Sequence, residues 1–190
     1  MDLALKEGEG ALLTGPNGSG KSTLLRLMAG LSKPSGGAVR SRPGAAIAYL
    51  GHASFLYPGL TAIENLAFWL KAASGHADRK KLEEGLDLAG LSAHADEPCR
   101  NFSKGMAQRL NFARVFLADA RIFLLDEPFS GVDRASRQII MAELERRKRA
   151  GAAIFMASHD LEHDAPLAGK IYLLEKKRLR RAPESAGGAA

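Results

Sequence analysis

Short apolar runs alternate with longer amphipathic stretches along this chain, and the change of period separates strands from helices. Residues 3–14 hold one or two short strands, the clearest being Ala11, Leu12, Leu13 and Thr14. Residues 23–29 follow as a helix stopped by Gly30. Between Leu31 and Pro43 the turn signal Pro34-Ser35-Gly36-Gly37 predicts loop, with a brief strand at residues 38–40. Residues 45–50 read as a buried strand. In residues 61–73, Ile63, Leu66, Ala67 and Leu70 fall at helical spacing behind a capping box of Thr61 and Glu64. A second helix over residues 79–89 carries Lys80, Lys81, Glu83 and Glu84 on its solvated face. Residues 93–101 form a connector in which His94 and Cys99 are given no functional role.

The second half repeats the alternation. Ser103 is placed to cap a helix whose apolar face is Met106, Leu110, Ala113 and Leu117. The continuous apolar run at residues 121–125 is expected for a central strand buried on both faces. Asp133 caps a helix reaching Ala150. The basic residues Arg146 to Arg149 suit the negative end of that helix and need no ligand to explain them. Residues 153–157 and 171–174 supply further strands, and the basic tail at residues 177–190 is expected to fray. Strands alternating with helices predict an α/β fold with a parallel sheet.

Between the first strand and the first helix lies Gly15-Pro16-Asn17-Gly18-Ser19-Gly20-Lys21-Ser22-Thr23, which satisfies the phosphate-binding loop pattern. Glycines let the backbone turn its N–H groups onto phosphate oxygens. Lys21 brings a compact cation to the β- and γ-phosphates, and the Ser22 hydroxyl is placed to ligate Mg²⁺. The helix that follows directs its positive end at the same anion. Nucleotide binding, with Mg²⁺ at the Ser22 hydroxyl, follows from this strand–loop–helix setting.

Three further places carry chemistry. Asp126 ends the central strand, where open α/β sheets bind ligands, and is placed to hold the Mg²⁺ through water. Glu127 is placed to take a proton from the attacking water. His159 ends the next strand and can donate a hydrogen bond to the γ-phosphate; its spacing from His163 is not read as a metal pair. At Ser103 and Gly105 a second helix start offers a hydroxyl and free N–H groups to an anion. With one phosphate loop already present, that start points to another ligand or to the nucleotide of another molecule.

In order, the phosphate loop, Phe102-Ser103-Lys104-Gly105-Met106, Leu124-Leu125-Asp126-Glu127-Pro128, Ser130-Gly131-Val132-Asp133 and Ser158-His159 resemble the nucleotide-binding subunit of ABC transporters over about residues 8–175. The resemblance implies a head-to-tail pair in which Ser103 and Gly105 of one copy close on the ATP held by Lys21 of the other. It places Asp133 at the junction, makes His159 the switch histidine and makes integral membrane permease subunits the partners. It also divides the chain into a P-loop core, residues 1–59 and 106–176, and a helical subdomain, residues 60–105, that docks on the membrane partner. Tyr49-Leu50-Gly51-His52-Ala53 and the stretch from Leu60 to Trp69 are similar to the ATP-binding subunit of the haem exporter of cytochrome c maturation. Another small exporter of drug, lipid or polysaccharide, and a soluble ABC ATPase acting on nucleic acid, stand as alternatives.

Three departures from the family pattern have consequences. His52 stands where a glutamine contacts Mg²⁺ and water, and imidazole is the softer ligand. The signature reads Phe-Ser-Lys-Gly-Met, which keeps Ser103 and Gly105. No aromatic residue precedes the phosphate loop to stack on adenine. The expectation is that base recognition is weak or that the natural start lies further upstream.

Composition adds bounds. The 190 residues, 46% apolar and 25% charged, suit one globular domain with a full core. No run of about eighteen apolar residues is present to span a membrane, and residues 1–7 lack a signal-peptide layout. A single cysteine excludes an internal disulfide and suits the cytoplasm. The net charge of +6 permits contact with an acidic surface, nucleic acid or anionic lipid, and is equally ordinary for a solvated surface. The resemblance implies a peripheral place at the cytoplasmic face of the inner membrane, with no nucleic acid expected as partner.

Overall fold

The computed structural model describes residues 2–52 and 54–182. Its strands are β1 (Gly10–Thr14), β2 (Ile47–Leu50), β3 (Ile122–Asp126), β4 (Ala153–Ala157), β5 (Lys170–Glu175) and β6 (Arg178–Arg181). Its helices are α1 (Lys21–Met28), α2 (Ala62–Ser74), α3 (Arg79–Leu88), α4 (Lys104–Leu117), α5 (Arg134–Arg149) and α6 (Leu161–Asp164). The strands form one sheet in the order β2-β3-β4-β1-β5-β6. The first five are parallel, and β6 returns antiparallel on β5.

The apolar runs of β1, β3 and β4 are continuous because both faces of the sheet are covered. Side chains alternate across it. Leu12, Phe123, Leu125, Ile154 and Met156 pack against Phe112, Val115 and Phe116 of α4 and against Ile140 and Leu144 of α5. On the opposite face, Ala11, Leu13, Leu124 and Phe155 pack against Leu25 of α1 and Tyr172 of β5. Phe112, Phe123 and Phe155 are fully buried, each contributing about 1.5–3 kcal/mol of transfer free energy. Away from the sheet, Leu66 and Leu70 of α2, Leu82 and Leu86 of α3, and Leu110 and Ala113 of α4 form a separate cluster. Helix α4 is therefore apolar on two sides, joining the α2–α3 pair to the sheet.

The capping box of α2 is formed: Thr61 Oγ1 accepts from the Glu64 backbone N–H at 3.3 Å, and Glu64 Oε2 accepts from that of Thr61 at 2.8 Å. Asn65 is buried without any sequence signal for it. Its amide donates to the carbonyls of Tyr57, Leu60 and Thr61 and its Oδ1 accepts from the Tyr57 N–H, tying the entry loop to the helix. Cys99 lies beside it in the core, where burial raises its thiol pKa. The basic end of α5 is engaged by its own helix and its neighbours: Arg146 and Arg147 bond to Glu143, Lys148 to Glu145, and Arg147 and Lys148 also reach the Phe116 and Leu167 carbonyls.

Of the one or two strands expected in residues 3–14 the structure has one, β1, and residues 3–9 contain no strand. Two expectations are corrected. Residues 38–40 form no strand either; Val39 is 49% exposed and no neighbouring strand offers it a ladder. Within the tail expected to fray, Arg178–Arg181 instead pair with Tyr172–Glu175. The hairpin turns at Lys176 and Lys177, both at positive φ (49° and 60°). Such a turn normally takes glycine or asparagine, so two lysines gave no turn signal. The rest of the expected frayed tail, residues 183–190, lies outside the described residues.

Candidate functional site

Parallel strands deliver their C-terminal ends to one edge, and β1, β3 and β4 are neighbours there. Gly15 leaves β1 at φ 147°, and a Cβ on it would stand 2.2 Å from the Leu174 carbonyl oxygen. Only glycine fits this turn. Gly20, at φ 106°, precedes α1 in the left-handed region. Lys21 is 8% exposed, and its ammonium donates to the Gly15 carbonyl at 2.8 Å and the Pro16 carbonyl at 3.3 Å. The loop thus holds its own cation at the mouth of the helix.

Strand β3 ends in Asp126, 2% exposed, whose Oδ2 is buried and has no hydrogen-bond partner. Asp126 pairs in register with Ala157 of β4, two residues before His159. Glu127 follows at φ 49°, a left-handed conformation that costs a non-glycine residue of order 1–3 kcal/mol and persists only where neighbours enforce it. Two enforcers are visible. The Glu127 N–H donates to the Ala157 carbonyl at 3.0 Å, and Gln108 of α4 donates to the Pro128 carbonyl at 2.7 Å. His159 Nε2 then lies 3.0 Å from Glu127 Oε1, an ion-pair approach without hydrogen-bond geometry. Burial raises the Glu127 pKa; nearby His159, Lys21 and His52 oppose the rise and Asp126 adds to it. A carboxylate with a raised pKa is the stronger base.

These groups line one cleft of about 500 Å³. The phosphate loop contributes Asn17, Gly18, Gly20, Lys21, Ser22 and Thr23, and His52, Asp126, Glu127 and His159 face them. Ser130 also lines the cleft; the sequence reading placed it in the motif Ser130-Gly131-Val132-Asp133 without giving it a site role. Gly15, Pro16 and Ser19 belong to the loop without lining the cleft. Ser103, Gly105 and Asp133 are not brought to it. Ser103 caps α4 by accepting from the Met106 N–H at 3.2 Å, and Gly105 lies so near the Gly131 carbonyl that a Cβ would reach 3.1 Å from it. Asp133 caps α5, and hydrogen bonds from Ser136 hold its carboxyl below the usual range.

Arg114 was also unforeseen. Burial lowers its pKa to about 10. It donates to the Tyr49 carbonyl at 3.0 Å and lies 5.1 Å from the centres of both the Phe55 and Trp69 rings. It therefore braces the end of β2, from which His52 enters the cleft.

The donor set fits Mg²⁺. The unpartnered buried carboxylate oxygen on Asp126 and the Ser22 hydroxyl are hard oxygen donors, and with so few protein groups to hold it the cation would draw its other ligands from water and phosphate. Among the described residues no cluster of three or more His, Cys, Asp or Glu could form an all-protein metal site.

Residues 1–130 match the ABC transporter family. The chain belongs to that family. It is 41% identical over 169 residues to the cytochrome c biogenesis ATP-binding export protein CcmA of Bordetella bronchiseptica, covering 84% of this chain and 75% of that protein. The protein of the same name from Paramagnetospirillum magneticum is 36% identical over 185 residues, covering 91% and 85%. Among solved structures, an ATP-binding subunit of an ABC transporter superposes with a TM-score of 0.85 at 26% identity, over 96% of this chain and 81% of that one. A dimeric ATP-binding cassette in a post-hydrolysis state with ADP and Pi bound gives 0.82 at 27% identity, over 94% and 88%. The fold is the ABC-type ATPase fold, a P-loop α/β domain with a parallel core sheet and added helices. ABC ATPase domains bind nucleotide, with Mg²⁺ general to the family. No helix among the described residues is long and apolar enough to cross a membrane.

Proposed function

We propose that this chain is the ATP-binding and ATP-hydrolysing subunit of the haem exporter in cytochrome c biogenesis. The observation that carries hydrolysis is the cleft in which Lys21, Asp126, Glu127 and His159 converge. The export assignment rests on the relatives named as cytochrome c biogenesis ATP-binding export proteins and on Gly51-His52 in the place of the usual glutamine.

Lys21 and the backbone N–H groups of residues 17–23 bind the β- and γ-phosphates. Asp126 and Ser22, with His52 beside them, would hold Mg²⁺, which when bound neutralises charge developing on the phosphate oxygens. Glu127 accepts the proton of the attacking water, and His159 donates to the γ-phosphate oxygen. Ser103 and Gly105 complete the site from a second copy, with Asp133 at the junction. The helical subdomain, residues 60–105, meets integral membrane permease subunits, and the pair works peripherally at the cytoplasmic face of the inner membrane. The proposed boundary after residue 105 falls within the first turn of α4.

A composite site makes turnover depend on pairing. ATPase activity should rise faster than linearly with protein concentration, measured from clearly monomeric to dimeric conditions. A strictly linear rise across that range would remove Ser103 and Gly105 from the reaction.

Base recognition is expected to be weak. Aromatic stacking on a base is worth on the order of 1–3 kcal/mol. Tyr49, Phe55 and Tyr57 do not line the cleft, and Phe55 and Tyr57 pack instead against Trp69 and Phe68. Dissociation constants for ATP and GTP with Mg²⁺ should therefore differ by less than about tenfold, or about 1.4 kcal/mol. A preference of about a hundredfold would mean that another residue supplies the platform.

A further inference from the structure

Arg137 of α5 touches both loops that carry the Glu127–His159 pair. Its Nη1 donates to Asp160 Oδ2 at 2.7 Å and its Nη2 to Asp164 Oδ1 at 2.5 Å. The guanidinium carbon also lies 4.8 Å from the centre of the Phe129 ring. Phe129 comes two residues after Glu127, and Asp160 comes one residue after His159. The far sides of both contacts are fixed. Phe129 stacks on Phe112 of the core at 5.9 Å. Asp160 Oδ1 accepts from the His163 N–H, and the Asp160 N–H donates to Ser158 Oγ at 3.0 Å. Asp164 is 1% exposed, so the guanidinium is anchored to a buried carboxylate rather than to a mobile surface group.

We propose that Arg137 is a positioning residue for hydrolysis: it clamps the Phe129 and Asp160 loops together and so holds His159 against Glu127. The inference rests on the hydrolysis reading above. A planar fork with an aromatic-binding face can engage two carboxylates and a ring at once, which a lysine ammonium cannot. The left-handed backbone of Glu127 relaxes unless its surroundings hold it, and the clamp acts on the segment immediately after it.

Arg137→Met alone leaves Asp164 buried without a counter-charge and risks unfolding. The informative variants are therefore Arg137→Met combined with Asp164→Asn, and Arg137→Lys. Four quantities are read: kcat for Mg-ATP hydrolysis, the Mg-ATP dissociation constant, the melting temperature, and the imidazole NMR signals of His159 in nucleotide-free protein. The double variant is expected to lose roughly tenfold to a hundredfold in kcat, as misplaced catalytic groups do, with the dissociation constant changed by less than about twofold. Arg137→Lys should recover part of the rate, and the His159 signals should shift or broaden in the double variant. Unchanged kcat and His159 signals in a folded double variant overturn the clamp. A parallel loss of kcat, affinity and melting temperature overturns positioning in favour of a purely structural role. Absence of turnover in the wild type refutes the hydrolysis reading, whereas unchanged His159 signals refute the clamp itself.

Discussion

Lys21→Ala is expected to remove measurable Mg-ATP binding and, with it, all turnover. Lys21 is the only Lys or Arg among the described residues lining the cleft. It is also prepositioned, since the Gly15 and Pro16 carbonyls hold its ammonium in place. A unit charge about 4 Å from a phosphate oxygen at an effective dielectric near 20 contributes about 4 kcal/mol, on the order of a thousandfold in affinity. The fold should survive. Removing the ammonium frees two loop carbonyls beside an open cleft, and the glycine turn at Gly15 depends on the Leu174 backbone rather than on Lys21. Equilibrium titration of the variant, with its melting temperature as control, checks this. Wild-type affinity or turnover in folded Lys21→Ala would sink the assignment of the phosphate loop.

Much of the fold was legible because its signals are local. The phosphate loop, the capping box at Thr61 and Glu64, and the caps at Ser103 and Asp133 are short-range patterns, and each forms as read. The apolar run ending in Asp126 marked a central strand without needing a partner. What escaped depends on pairing across the chain. Residues 38–40 have strand-like composition and no ladder to join, while Arg178–Arg181 look like solvated tail yet find β5 across a turn of two lysines. The site divides the same way. Lys21, Ser22, Asp126, Glu127 and His159 meet because parallel strands end at one edge, whereas Ser103, Gly105 and Asp133 remain outside the cleft of a single copy. Arg114 and Arg137 were invisible as isolated arginines. Each owes its place to aromatic rings or carboxylates remote in sequence.

Glu127→Gln is expected to separate binding from chemistry. Glutamine keeps the shape of the side chain, and the backbone strain at φ 49° is set by contacts the substitution leaves alone: the Glu127 N–H to the Ala157 carbonyl and Gln108 to the Pro128 carbonyl. What disappears is a carboxylate whose pKa burial has raised, the group we propose as acceptor of the proton of water. General-base contributions of about 10²–10⁴-fold set the expected loss in kcat at a hundredfold or more. The Mg-ATP dissociation constant should stay level or fall, because one negative charge leaves the neighbourhood of the γ-phosphate. With ATP bound and not consumed, two copies should remain together under the proposed composite site. Light scattering after size exclusion, run with Mg-ATP, should then show a dimer that the wild type forms only transiently. Normal turnover in the variant would move the base to another residue. An ATP-loaded variant that stays monomeric would instead break the composite site, leaving Ser103 and Gly105 as a helix cap and a close backbone contact.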